Sequence, residues 1–333
     1  MPSLASRRLT AGPQSGRAWT GESRLSAGTG VILGSVLAPT GRQLRIAQGG
    51  QRAVVVEVGA GIREYAWGGR PVLDGYGERE MASGRRGLPL LPWPNRIADG
   101  RYRFQGADLQ LPITQVAEHN AIHGLTSFQA WMPVEESPHR VRLATTVHPQ
   151  PGYPFTLELE VGYELAEDGL TVTTGAHNPG DRPLPFGAGH HPYLAPASRL
   201  VDAVQLTLPA ATVLEADGRG IPTGRRPVAG DLDFRRGRRI GELHLDHCFT
   251  DLEPSADGAV RVTVGDLELW MDPGYPYLMV YTGDTLAEPR RRRGLAVEPM
   301  TCPPNAFQSG EALLVLEPGA RWRGRWGLKL RTP

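Results

Sequence analysis

The stretch Phe155-Thr156-Leu157-Glu158-Leu159-Glu160-Val161-Gly162-Tyr163-Glu164-Leu165 alternates apolar and polar residues without a break. Side chains on a β-strand point to opposite faces in turn, so this is a strand with one face buried and one wet. Ala166-Glu167-Asp168-Gly169 supplies turn residues, and Leu170 and Val172 resume the alternation, which predicts a hairpin. The same grammar recurs downstream. Val260, Val262 and Val264 alternate with Arg261 and Thr263, Gly265-Asp266 makes a turn, and Leu267, Leu269 and Met271 return. Near the end, Trp322, Trp326, Leu328 and Leu330 share one face, while Arg321, Arg323, Arg325 and Lys329 share the other. Further strands are predicted at 53–58, 101–104, 140–147, 204–208, 278–281 and 313–316. After residue 43 no apolar run has helical spacing with caps. The expected fold class is all-β, a large antiparallel sandwich or barrel.

Composition agrees. Gly (42) and Pro (30) fill more than a fifth of the 333 residues, against about 12% in average proteins. Long bundles and coiled coils are therefore excluded. Lys+Arg (36) balances Asp+Glu (35), which argues against a dedicated nucleic-acid or anionic-membrane partner. No run of 18 apolar residues is present, so no transmembrane helix is expected. Cys248 and Cys302 are too few for a disulfide scaffold and suit a reducing, cytoplasmic compartment. Residues 1–42 are rich in Gly, Ser, Thr and Arg, with Glu22 the only acid. They are expected to form a disordered extension ahead of a single domain spanning 43–333.

Several segments break the strand pattern and concentrate polar groups: Asn95-Arg96-Ile97, Asn120-Ala121-Ile122-His123-Gly124, Gly189-His190-His191-Pro192-Tyr193, Leu245-Asp246-His247-Cys248-Phe249, and Val297-Glu298-Pro299-Met300-Thr301. A strand with Leu295 and Val297 delivers Glu298 into a backbone fixed by Pro299, Pro303 and Pro304. Burial raises a carboxyl's pKa and a nearby cation opposes the rise, which is the tuning a general base needs. The histidines supply candidates for the matching acid. His190 and His191 alternate faces on a strand, so at most one can enter a given pocket. No His-x-His, His-Glu-x-x-His or Cys-x-x-Cys spacing occurs, so no metal is expected. Nothing marks either cysteine as an activated nucleophile. The run Arg290–Arg293 reads as a solvated loop.

Together these five segments, in this order and spacing, resemble the aldose 1-epimerase (galactose mutarotase) family from about residue 43 to the C-terminus. The resemblance implies a galactose mutarotase-like supersandwich with a sugar pocket on one concave sheet and no cofactor. It implies Glu298 as the base that takes the anomeric proton and His191 as the acid that protonates the ring oxygen. It also implies His123 as a second active-site histidine, Asp246 and Arg96 as hydrogen-bonding partners of sugar hydroxyls, and Asn95 as their support. The expected partner is a small sugar, bound by a monomer or homodimer. Two features depart from the family pattern. Leu125-Thr126-Ser127-Phe128 stands where a basic or polar gate residue is expected, and Gly87–Pro92 resembles the hexose-phosphate branch. A neutral hexose is favoured, because no Gly-rich phosphate cradle is present. The alternatives are glucose-6-phosphate 1-epimerase, with Arg85, Arg86 or Arg290–Arg293 as phosphate clamps, and a non-catalytic carbohydrate-binding sandwich.

Overall fold

A computed structural model describes residues 7–9, 37–198 and 200–331. The hairpin read from the sequence is formed by strands Leu157–Ala166 and Gly169–His177, with Leu165 opposite Leu170 and Ala166 opposite Gly169. Leu157, Leu159, Val161, Tyr163 and Leu165 are all buried, and Glu158 between them is exposed. Each such burial contributes about 1.5–3 kcal/mol, so a one-residue slip would bring Glu158, Glu160 and Glu164 into the core. The hairpin sits inside a nine-stranded antiparallel sheet. Its order is Met132–Glu136, Arg140–Val147, Leu157–Ala166, Gly169–His177, Arg321–Leu330, Leu267–Met271, Val260–Val264, Gln205–Thr207 and Arg238–Arg239.

A second antiparallel sheet has eight strands. Its path runs Pro222–Pro227, Ala210–Ala216, Asp246–Leu252, Tyr277–Tyr281, Leu295–Met300, Gly189–His190 and Pro89–Leu90, and Tyr193–Leu194 also pairs with Leu295–Met300. One face of this sheet sends Phe249, Leu278, Val280, Leu295 and Val297 into the main core. The other face carries Leu214, Cys248, Tyr277, Met279 and Met300 as a smaller cluster. Strand alternation alone produces this division. A four-stranded sheet (Gln43–Gln48, Gln51–Val56, Ile62–Trp67, Arg70–Pro71) completes the body. The α-helix found among the described residues is the single turn Ala306–Ser309.

Most of the extension expected at 1–42 lies outside the described residues. The described part is engaged with the body. Strand Arg7–Leu9 runs parallel to Leu314–Leu316. Thr40 is buried, and its carbonyl accepts the Val58 N–H at 3.0 Å. Such backbone pairing needs no apolar alternation, so composition did not announce it.

Candidate active site

Glu298 lies in the middle of strand Leu295–Met300, opposite Met279. On its other side the chain pairs Gly189 with Met300 and Tyr193 with Ala296. That register brings His191 across from Glu298, on the same face. His191 Nε2 lies 3.3 Å from Glu298 Oε1, and both side chains are buried. Pro192 and Pro299 keep the backbone here extended while withholding two ladder donors. Glu298 Oε2 and His191 Nδ1 are buried without a hydrogen-bond partner among the described residues. Such groups cost about 1–3 kcal/mol each when left unpaired, so the pair is suited to a polar ligand.

The electrostatics follow from burial. Desolvation pushes the Glu298 carboxyl well above the usual carboxylate range, Asp246 adds to the rise, and Arg96 opposes it. Desolvation also takes the His191 imidazole down to about 3, with Arg86, Arg85 and Arg96 acting in the same direction. Both shifts disfavour the charged forms, so burial favours a neutral carboxyl facing a neutral imidazole.

His123 is brought in by backbone exchange with Asn95. The His123 N–H donates to the Asn95 carbonyl at 2.9 Å, and the Asn95 N–H donates to His123 Nδ1 at 3.2 Å. The latter bond assigns the imidazole proton to Nε2. Both residues hold positive φ (55° and 61°), an uncommon conformation for non-glycine residues that tends to cluster at functional sites. Gly124 follows at φ +75°, where an added Cβ would lie 1.9 Å from the Leu91 carbonyl oxygen, so no larger residue fits. The His123 ring meets His191 edge to face at 5.3 Å. Burial, then the His191 neighbour, holds His123 well below the usual imidazole range.

Arg96 opens the strand Arg96–Ala98, which pairs with Asn120–Ile122. Its Nη2 reaches Asp246 Oδ2 at 3.1 Å, Nε donates to Gln115 Oε1 at 3.2 Å, and Nη1 donates to Asn95 Oδ1 at 3.3 Å. Asn95 thus braces both Arg96 and His123. All six site residues read from the sequence line one cleft of about 910 Å³, within the range of small-molecule sites. Leu214, Cys248 and Met279 line the same cleft as an apolar patch.

Other residues are placed differently from expectation. His190 points away from the cleft, bonding Thr174 Oγ1 through Nε2 at 2.6 Å and packing against Trp326 at 5.3 Å. Arg290–Arg293 is not a solvated loop throughout, because Arg292 is buried against Asp202 (2.9 Å) and Asp284 (2.6 Å). The run lines a separate cavity of about 1260 Å³, larger than the cleft, with no histidine among its described lining residues. Arg86 is sealed beneath Tyr193 rather than set at the rim. The sequence reading missed Tyr193 and Gln115 as site residues. Tyr193 was accessible to it, since i and i+2 on a strand share a face with His191.

Two predictions arise here. His123, His190 and His191 are buried and held below the usual imidazole value by desolvation. The unfolded chain takes up a proton at each below about pH 6.5, so this contribution is lost as pH falls. Glu298 works oppositely: the native state keeps a proton that the unfolded state releases, so its contribution is lost as pH rises. Between about pH 4.5 and 6 the unfolded state binds more protons than the native one, and stability should fall on acidification by roughly 3 kcal/mol per pH unit. Denaturant midpoints at pH 6.0 and 4.5 measure this, and equal midpoints would show that the histidines titrate freely. Separately, Cys248 and Cys302 are free and buried, and desolvation pushes both thiols up, Cys302 to about 12. A Cys248→Ser/Cys302→Ser protein should retain most activity in a turnover assay; an inactive one would implicate a thiol.

Two large antiparallel sheets, with a buried carboxyl–imidazole pair in a polar cleft on one of them, define an all-β supersandwich with an acid–base cleft. A sequence model of the aldose 1-epimerase family matches residues 42–329, and the chain belongs to that family. A relative named uncharacterized protein YihR, from Escherichia coli K12, is 37% identical over 282 residues, 84% of this chain and 90% of the relative. Among solved structures, the GalM/aldose epimerase homologue from C. elegans superposes with a TM-score of 0.77 at 20% identity, covering 87% of this chain and 99% of that one. Galactose 1-epimerase from Lactobacillus acidophilus superposes at 0.72 and 22% identity, covering 85% and 92%. The fold is that of the galactose mutarotase group. Among the described residues no helix is long and apolar enough to cross a membrane.

Proposed function

We propose that the chain interconverts the α and β anomers of a hexose by acid–base ring opening and closure. The observation that carries this is the facing pair, Glu298 Oε1 and His191 Nε2 at 3.3 Å, on the floor of a sugar-sized cleft. In the direction of opening, Glu298 as carboxylate takes the proton from the anomeric hydroxyl, the C1–O5 bond breaks, and His191 as imidazolium gives its proton to O5. The pair then consists of a neutral carboxyl and a neutral imidazole, the form that burial favours. Rotation about C1–C2 and the reverse proton movements close the ring on the other face. No proton is gained or lost overall, so no cofactor is needed. Each acid–base group contributes typically 10²–10⁴-fold. His123, with its proton on Nε2, donates to a sugar oxygen. Arg96 and Asp246 hold hydroxyls as a donor–acceptor couple. This chemistry uses one copy of the chain, as a monomer or within a homodimer. A cytoplasmic setting suits its free thiols.

A second reading, a hexose carrying an anionic group, is favoured by one residue. Of the arginines first considered as a phosphate clamp, Arg85 alone lines the cleft. Its guanidinium rests 4.8 Å from the centre of the exposed Phe128 ring, with no acidic partner among the described residues. It lies beside the segment Leu125-Thr126-Ser127-Phe128, where a basic or polar gate residue is expected. A panel of fresh α-D-glucose, α-D-galactose and α-glucose 6-phosphate separates the readings. The neutral reading expects turnover of a free hexose without inhibition by hexose 6-phosphate. Inhibition by the phosphate far below the free sugar's KM would establish the anionic one.

A further inference from the structure

From the cleft wall inward, four buried side chains form a column. The Arg86 guanidinium carbon lies 4.1 Å from the Tyr193 ring centre. The Tyr193 ring stacks on His191 at 4.9 Å and 11°, and His191 faces Glu298 at 3.3 Å. Arg86 follows the turn Ser83–Arg85, donates to the Ser83 carbonyl at 3.3 Å, and pairs with buried Asp74 at 3.2 Å. Its Nε has no hydrogen-bond acceptor among the described residues. A guanidinium is held most strongly by a bidentate carboxylate fork. Here the guanidinium also lies against an aromatic face, an attraction that strengthens when both groups are desolvated.

Resting on the mutarotase reading, we propose that Arg86 is a positioning residue for the His191–Glu298 pair: acting through the Tyr193 ring, it fixes the plane of the imidazole and disfavours a charge on it. Stacking at 11° leaves the imidazole little freedom to rotate away from Glu298. A fixed cation behind Tyr193 opposes a second cation on His191, and it ranks after burial among the causes of the lowered His191 value. The other charged or titratable groups acting on His191 are Arg85 and Arg96 on the cleft side, His123 edge-on, and Glu298 opposite. Arg86 differs from Arg85 and Arg96 in being sealed from the cleft. Substrate therefore cannot displace it, and its influence persists through the cycle.

The test compares Arg86→Met, Arg86→Lys, Tyr193→Leu and Tyr193→Phe. Removing Arg86 leaves Asp74 faced by Arg293 at 3.3 Å and Arg290 at 3.8 Å, so the fold retains a counter-charge there. Arg86→Met and Tyr193→Leu should each lower kcat by about 10²-fold with little change in KM. Both should move the acid limb of the pH profile up toward the ordinary imidazole value. Arg86→Lys keeps the charge and should hold the limb low, and Tyr193→Phe keeps the ring and should resemble the parent. The double Arg86→Met/Tyr193→Leu protein should be little worse than either single, because the residues act as one unit. Histidine ring NMR titration of the parent and Arg86→Met reads the His191 proton without any turnover, which keeps this proposal testable if the mutarotase reading fails. An unmoved His191 titration in Arg86→Met, or equal losses in Met and Lys variants that follow thermal stability alone, would overturn it.

Discussion

Glu298→Gln should lower kcat by roughly 10²–10⁴-fold while leaving KM nearly unchanged. The amide keeps the shape of the carboxyl and its reach to His191, but it cannot accept the anomeric proton. The lost interaction therefore belongs to the transition state rather than to sugar binding. The fold should survive, because Glu298 is buried with its proton favoured, and an amide resembles that neutral form. Burial of a neutral group in place of a titrating one should also remove the stability lost as pH rises above the ordinary carboxylate range. Steady-state turnover together with a thermal midpoint at two pH values reads both consequences. A Gln variant with the parent's kcat would show that the base lies elsewhere.

The adjacent histidines should separate just as sharply. His191→Asn should lose roughly 10²–10⁴-fold in kcat with a modest change in stability, since it faces the cleft. His190→Asn should keep its per-molecule turnover and lose stability instead. Its imidazole is bonded to Thr174 and packed on Trp326 between the sheets, and Asn cannot fill that volume. Cavity and lost hydrogen bond together should cost about 2–4 kcal/mol. Active-site-normalised kcat and denaturant midpoints for the two variants check this. The reverse assignment, with His190→Asn dead and His191→Asn active, would mean that the strand register is off by one.

The fold was readable where the chain repeats a period of two. The Phe155–Val172 hairpin and the Val260–Met271 hairpin appear as expected, because one buried face imposes alternation over many residues. Gly189–His190, Pro89–Leu90 and Tyr193–Leu194 are two-residue strands, too short for any period to show. The site segments stood out because they break that period with polar groups in prolines' company. Partnership over distance was another matter. Arg96 meets Asp246 150 positions away, Arg292 is buried only because Asp202 and Asp284 converge on it, and Arg86 lies under Tyr193 through a turn with no apolar signature. Such contacts are products of sheet order, which local pattern does not encode.

In the proposed reaction, proton movement between the sugar and the Glu298–His191 pair opens and recloses a hexose ring. Its most direct measurement is the anomeric exchange rate of an equilibrated aldohexose, followed by saturation transfer between the α and β H1 signals in proton NMR, with the parent chain and with Glu298→Gln. No coupling enzyme or freshly dissolved anomer is needed. The expected result is exchange accelerated by the parent in proportion to its concentration and reduced toward the spontaneous rate with Glu298→Gln. Sugar line-broadening or binding with no acceleration of exchange by the parent, or equal acceleration by both proteins, would contradict the account.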